Sequence, residues 1–342
     1  MPSIRKPFAM PATVPRVGTA LRVLAAALLA VTTAPAIATP APAGTIALTF
    51  DDLPVFGQKT SPADGAAMTT RLLAGLKRQH YTATGFVNES QLAGPDHAQR
   101  LRLLQQWLDS GMDLGNHSYS HLSLNAVPVE TYIADVARGA HDTGKLLAAR
   151  GRRERWYRYP YLETGKTPEV RHRFEGWLAK HGYRVAPVTM ENADWRFAAP
   201  YDDAVARGDQ AEAQRIRSAY LSFTRQIVAW YRQAGRELLG REPAFVFLLH
   251  ASHLNAASID DLAAILHDQH LRVVPLDTAM RDPAYKIRDT YVGPNGTGWL
   301  DRWSLTLHRS LPYASLPTVP KAIVAYDARL EGATDPRAAA TS

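Results

Sequence analysis

The stretch Thr45-Ile46-Ala47-Leu48-Thr49-Phe50-Asp51-Asp52 decides how this chain is read. Its first six residues are apolar or β-branched, the composition of a buried strand. Two carboxylates at the C-terminal tip of such a strand lie where α/β and barrel folds place their chemistry. Side chains alternate along a strand, so adjacent aspartates normally face opposite ways. Both can serve one site only if the strand ends there and the backbone turns, and that is the expectation.

Working outward, residues 83–87, 113–115, 156–158, 184–189, 244–249 and 272–275 are further strand candidates. Amphipathic helix patterns lie between them, at 66–80, 97–110, 129–150, 168–181, 209–239 and 258–269. In the second of these, Leu101, Leu104, Trp107 and Leu108 recur at helical spacing with polar residues between. Regular alternation implies parallel strands with helices packed outside. Seven strands fit an incomplete barrel as readily as an open sheet.

The stretch 196–243 interrupts the rhythm. It reads as a helical insertion whose Ile216, Tyr220, Phe223, Ile227 and Trp230 form a packing stripe. Beyond residue 282 the pattern dissolves. The run Gly293-Pro294-Asn295-Gly296-Thr297-Gly298-Trp299 is turn-rich, and it lacks the strand before and the helix after that a phosphate loop requires. From about residue 320 the chain is Ala-rich, and a loosely ordered tail is expected.

The first 43 residues read as a secretory signal peptide. Arg5, Lys6, Arg16 and Arg22 are basic, none is balanced by an acid, and an apolar run over 23–31 precedes small-residue cleavage patterns. That run is shorter than the ~20 residues of a membrane span, so an exported chain without a stable span is expected, periplasmic or secreted. Removing four basic residues takes the formal charge from +7 to +3. With no aromatic-interleaved basic stripe, nothing points to a nucleic-acid partner. The chain has no cysteine, which excludes disulfides, thiol nucleophiles and thiolate metal sites. A metal here must be held by nitrogen and oxygen.

His117-Ser118-Tyr119-Ser120-His121 offers two imidazoles at i and i+4, which on a helical turn share one face and suit a zinc-like ion. The residue after the first histidine is Ser118, not the glutamate of the common zinc-protease helix, so the general base lies elsewhere. The aspartate pair can supply a third ligand and a base. Asp52 with the two histidines makes a face that leaves positions open for water and substrate. Arg158-Tyr159-Pro160-Tyr161 follows a strand candidate and sets an arginine able to pair with a carboxylate beside a fixed turn. Phe247-Leu248-Leu249-His250 ends a buried run in a histidine at the same rim.

Five segments in order resemble the motifs of the polysaccharide deacetylase family, the NodB-homology or carbohydrate esterase family 4 group. They are Thr49-Phe50-Asp51-Asp52, the 117–121 segment, Arg158-Tyr159-Pro160-Tyr161, Asp194-Trp195 and Leu248-Leu249-His250, within residues 45–282. The resemblance implies a distorted (β/α)7 barrel of the NodB-homology type with a helical insertion after the fourth motif. It divides the chain into a signal (1–43), a catalytic domain (44–285, insertion 196–243) and a partly disordered C-terminal extension (286–342). It further implies metal-dependent removal of acetyl groups from a carbohydrate, N-acetyl ahead of O-acetyl. Asp51 would be the general base, with Asp52, His117 and His121 holding a divalent metal, Zn first and Co or Ni as alternatives. His250 would be the general acid, Arg158 would hold Asp51, Asp194 would orient His250, and the Tyr161 N–H would help form an oxyanion hole. Trp195, Leu248 and Pro160 would line the substrate pocket. Many members carry aspartate three residues before the Asp-Trp pair, where this chain has Glu191. The alternatives are a hydrolase of a small non-sugar amide, which an enclosed cleft would favour, and an inactive glycan-binding relative. With a cation and Arg158 beside it, Asp51 is expected to have a depressed pKa and His250, near a carboxylate, a raised one.

Overall fold

In the computed structural model, residues 44–57 and 61–334 are described. The expected signal over 1–43 lies outside them, and so do residues 335–342. The strands are β1 (Gly44–Leu53), β2 (Ala83–Val87), β3 (Asp113–Asn116), β4 (Trp156–Tyr157), β5 (Arg184–Val185), β6 (Met190–Glu191), β7 (Phe245–His250) and β8 (Leu271–Val273). All pair in parallel, in the order β5-β4-β3-β2-β1-β7-β6, with β8 against the start of β1. Central strands covered on both faces read as continuous apolar runs, and β1, β2 and β7 are buried along nearly their whole length.

The two ends of that order belong to one stretch of chain. Ala186 N–H donates to Tyr157 O, and three residues later Thr189 N–H donates to Val246 O. Residues 184–191 therefore start against β4 and finish against β7, closing the sheet into a distorted barrel of seven strands in which one is broken. The single strand expected at 184–189 is interrupted at Pro187, which has no N–H to give to a ladder.

Outside the strands run α1 (Pro62–Arg78), α2 (His97–Asp109), α3 (Val129–Arg138), α4 (His141–Ala148), α5 (Pro168–Lys180), α6 (Asp194–Ala206), α7 (Gln210–Leu239), α8 (His253–Asp268) and the short α9 (Leu276–Ala279). The helix expected at 129–150 is two helices broken at Gly139. A Cβ there would lie 2.5 Å from the carbonyl carbon of Ser118, so the glycine lets the histidine-bearing loop lie directly on the end of α3. The insertion begins two residues earlier than expected, because α6 starts at Asp194 itself.

The C-terminal extension departs most from expectation. A helix, α10 (Trp299–Leu307), follows the glycine-rich run directly, and α11 (Lys321–Thr334) occupies the Ala-rich stretch expected to be loose. Alanine is the strongest helix former, so that composition fits a helix once neighbouring elements support it. Trp299, Leu300, Trp303, Leu311 and Ile323 join the same buried cluster as the α7 stripe. Trp230 Nε1 donates to Pro312 O at 3.1 Å, and Arg309 Nη1 donates to Leu238 O at 2.7 Å.

Arg302 ties the extension to the barrel rim. Its fully buried guanidinium donates to Leu162 O (2.6 Å), Thr164 Oγ1 (2.8 Å), Thr297 O (2.9 Å) and Asp289 Oδ2 (3.0 Å). Removing one partner from a buried charged network typically costs about 3–5 kcal/mol. Arg302→Ala is therefore expected to lower unfolding stability by roughly that amount in a denaturant titration; a loss below about 1 kcal/mol would show that the extension is only loosely attached.

Candidate active site

The aspartate pair shares one end of the barrel by a different route from the one expected. β1 does not stop at Asp51. Its register with β2 passes from Phe50↔Gly85 to Leu53↔Val87, three residues against two. This is a β-bulge, and Asp52 sits in it with φ 60°. One extra residue shifts the alternation, so neighbouring side chains can serve the same site while the strand continues. Left-handed backbone at a non-glycine residue is costly and persists where the surroundings impose it.

The histidine segment also differs from expectation, because residues 117–121 form a loop and not a helical turn. Ser118 and His121 both have positive φ, and Ser118 Oγ accepts the His121 N–H at 2.9 Å. The loop is anchored by Asp135, whose Oδ2 accepts the N–H groups of Tyr119 (3.1 Å) and Ser120 (3.0 Å). The rings still meet, with centroids 4.9 Å apart. Nε2 of His117 and Nε2 of His121 each lie 3.6 Å from Asp52 Oδ1. One donor atom from each of Asp52, His117 and His121 falls within 4.8 Å of the others.

This donor set suits a divalent ion. His117 Nδ1 lies 2.8 Å from Arg158 O; a proton on that nitrogen leaves Nε2 bare and aimed at Asp52, the tautomer a metal-ligating histidine needs. Burial, helped by the neighbouring His121 charge, holds His117 well below the usual imidazole range. Burial also lowers His121, against the opposing pull of Asp52. Both rings are thus neutral at neutral pH, the form in which imidazole binds metal.

Asp51 is buried, and only one of its oxygens is satisfied. Oδ2 accepts Arg158 Nη1 at 3.3 Å, whereas Oδ1 has no hydrogen-bond partner. The bidentate pairing open to Arg158 is not made: its Nη2 donates to Thr49 Oγ1 (3.0 Å) and its Nε to Ala186 O (2.8 Å). Burial raises the Asp51 pKa to about 6, with Arg158 and His250 pulling it down. The expected depression counts a cation beside the carboxylate; from the chain's own groups alone, desolvation outweighs the single, longish arginine contact.

His250 closes the opposite side. Its Nδ1 is 2.8 Å from Asp194 Oδ1, and its backbone N–H donates to Asp194 Oδ2 at 2.7 Å. Burial lowers its pKa, but the charge and hydrogen bond of Asp194, with Asp52 and Asp51 behind, raise it to about 9. Asn255, on α8, donates to Asp194 Oδ2 at 2.5 Å and to His250 O at 2.9 Å. Tyr220 of α7 donates to Asn255 Oδ1 at 2.6 Å. Neither Asn255 nor the hydroxyl of Tyr220 was singled out by sequence, where one is an unremarked polar residue and the other part of an apolar stripe.

A cavity of about 550 Å³ holds Asp51, Asp52, His117, His121 and His250, with Tyr161, Trp195 and Leu248 in its walls. Tyr161 has φ 56°, and its ring stands edge-on to His121 at 4.4 Å. Pro160 is buried behind and does not line the cavity; Tyr159 and Leu162 stand where it was expected. Phe56, 4.5 Å from the His250 ring, and Asp301 and Glu331 were not expected in the lining, while Glu191, noted in the fourth motif, stands in the wall. Burial, with Asp301 and Asp194 nearby, raises the Glu191 carboxyl above its usual range.

Residues 38–186 match the polysaccharide deacetylase family, so the resemblance carried by the motifs holds over the stretch containing the first three. Among solved structures, the chain is similar to the chitin deacetylase of the fungal pathogen Colletotrichum lindemuthianum, at 19% identity and TM-score 0.49, covering 69% of this chain and 87% of that one. It is also similar to the Bacillus subtilis peptidoglycan deacetylase (23%, TM-score 0.45, covering 70% and 91%). A third is the family 4 carbohydrate esterase of Streptomyces lividans (22%, TM-score 0.44, covering 70% and 97%). No curated protein matches.

The His250–Asp194 pair yields a direct test. Asp194→Asn removes the nearest charge that raises this histidine, so the His250 pKa should fall well below about 9 in an NMR titration. An unchanged value would place the source of the shift elsewhere. The sign carries to stability: a raised histidine stabilises fully below pH 6.5 and loses that contribution as pH rises through about 9. Asp194→Asn should therefore flatten the fall in stability across that window.

Proposed function

We propose that this chain, a hydrolase of the polysaccharide deacetylase type over its matched residues 38–186, is an exported, metal-dependent enzyme that removes acetyl groups from a carbohydrate, with N-acetyl preferred to O-acetyl. The observation that carries the reading is the convergence on one cavity of two neutral imidazoles, the Asp52 carboxylate and a second, half-satisfied carboxylate, Asp51.

Asp52, His117 and His121 would hold the ion, with Zn first among the candidates and Co or Ni as alternatives. Bound there, a divalent cation supplies Lewis acidity, polarising an acyl carbonyl and making water acidic enough to be deprotonated near neutral pH. The steps of proton transfer belong to the chain's own residues. Asp51 accepts the proton of the attacking water at its unpartnered Oδ1, while Arg158 fixes Oδ2. The Tyr161 N–H donates to the oxygen on which charge develops, a kind of contact worth about 3–4 kcal/mol. His250, kept protonated by Asp194, gives its proton to the leaving nitrogen. An amine leaves poorly without that proton and an alcohol more readily, so a strongly held general acid favours amide cleavage. Leu248 and Trp195 enclose the acyl methyl group.

A small non-sugar amide is the second reading, because the C-terminal extension puts walls on the cleft. Acetate release from a panel of N- and O-acetylated oligosaccharides, with chelator and metal add-back, separates the two. The first reading predicts acetate from the glycans, lost with chelator and restored by a divalent ion. Turnover of small amides alone would overturn it.

Two kinetic outcomes test the residue roles. Activity should rise as Asp51 loses its proton and fall as His250 loses its own, giving a bell-shaped profile. Its alkaline limb should lie no higher than about pH 9 and its acid limb no higher than about 6, since a bound cation beside both groups favours the deprotonated form of each. His250→Ala should lower amide cleavage by roughly 10²–10⁴-fold and ester cleavage less. Equal losses on amide and ester would remove His250 as the acid.

A further inference from the structure

The cavity at the catalytic residues has a neighbour of about 510 Å³, and the two share Asp52, Phe56, His121, Trp195 and Glu331. They are two lobes of one cleft that meet over the candidate metal ligands. One lobe is bounded by Ala199 and Asp202 of α6 with Asp327 and Leu330 of α11. The other is bounded by Gly296–Gly298 and Asp301. Each lobe thus has walls from the C-terminal extension, which lies beyond the family-matched stretch, and Glu331 belongs to both.

These walls are built in. Asp327 is buried and accepts Arg196 Nη1 at 3.1 Å, and Tyr326 donates to Asp203 Oδ2 at 2.6 Å, fixing α11 on α6. On the other side, Asn125 Nδ2 donates to Pro294 O (3.0 Å) and Trp299 N–H to Val188 O (2.6 Å). Gly296 packs against the 161–162 backbone so closely that a Cβ would lie 1.8 Å from Tyr161 O. Only glycine allows that approach.

A long glycan deacetylated at internal units must pass through the site and leave it on both sides. Here the extension adds fixed wall to both lobes, and each lobe, about 510 and 550 Å³, has the size of a small-ligand pocket, within roughly 300–1,000 Å³. We infer that the extension converts the cleft into a site for short acetylated oligosaccharides or the end of a glycan chain, excluding the interior of a polymer. This rests on the deacetylase reading and specifies its substrate class.

The test is acetate release by the metal-loaded full chain on N-acetylated oligosaccharides and on a long soluble polymer of the same repeat. The position of each freed amine is mapped by mass spectrometry. The inference expects kcat/KM per acetyl group at least about tenfold higher on the short substrates, a margin within reach of pocket selectivity. Amines should appear at terminal units first. The double variant Leu330→Ala/Glu331→Ala, with the Asp327 anchor kept, should raise the long-to-short ratio several-fold. Internal deacetylation of the polymer at the short-substrate rate would overturn the inference and leave the deacetylase reading standing. No acetate from any glycan would overturn both.

Discussion

The structure depends on a single extra residue in its central strand. β1 lies at the centre of the barrel, largely buried and paired on both sides, and a regular strand would send Asp51 and Asp52 to opposite faces. The bulge between Phe50 and Leu53 removes that conflict without ending the pairing. The cost of holding Asp52 at φ 60° is met by a scaffold that fixes the strand on either side. Left-handed residues recur around the site at Ser118, His121, Tyr161 and Ala193. Each loop that brings a functional side chain to this rim bends at a conformation its residue disfavours.

Electrostatics then divide the labour between the two aspartates. Asp52 faces two imidazoles that burial keeps neutral, an arrangement that calls for a cation. Asp51 is enclosed with a single arginine contact and one bare oxygen. Arg158 spreads its donors over Thr49 and Ala186 as well, so it locates the carboxylate without saturating it. Across the cavity, Asp194 uses both oxygens on His250 and Asn255, and the insertion helix α7 supports Asn255 through Tyr220. The insertion thereby reaches the chemistry through two hydrogen bonds.

Much of this was legible in the residues. Strand positions follow from apolar runs, and the motifs locate the groups that converge at the rim. What sequence could not show was how they converge. Period-two alternation gives no sign of a bulge at Asp52, and an i, i+4 histidine pair reads as helical when the backbone is a loop held by Asp135. Pro187 was present as the cause of the broken strand, but an apolar run outweighed it. The Ala-rich stretch at 321–334 looked unstructured because its burial depends on α6, far away in sequence. For the same reason Asp301 and Glu331 gave no local signal that they line the cleft. Asn255 is a polar residue near a helix start whose role exists only because Asp194 lies beside it.

The central claim is that Asp52, His117 and His121 grip one divalent ion next to a carboxylate left free to act. Anomalous scattering from crystals grown with zinc, collected at the metal absorption edge, addresses it most directly. The account predicts one strong peak about 2.0–2.2 Å from an Asp52 oxygen and from Nε2 of both histidines, with Asp51 outside the coordination sphere. A peak lying elsewhere, or one in which Asp51 replaces a histidine as ligand, would contradict it.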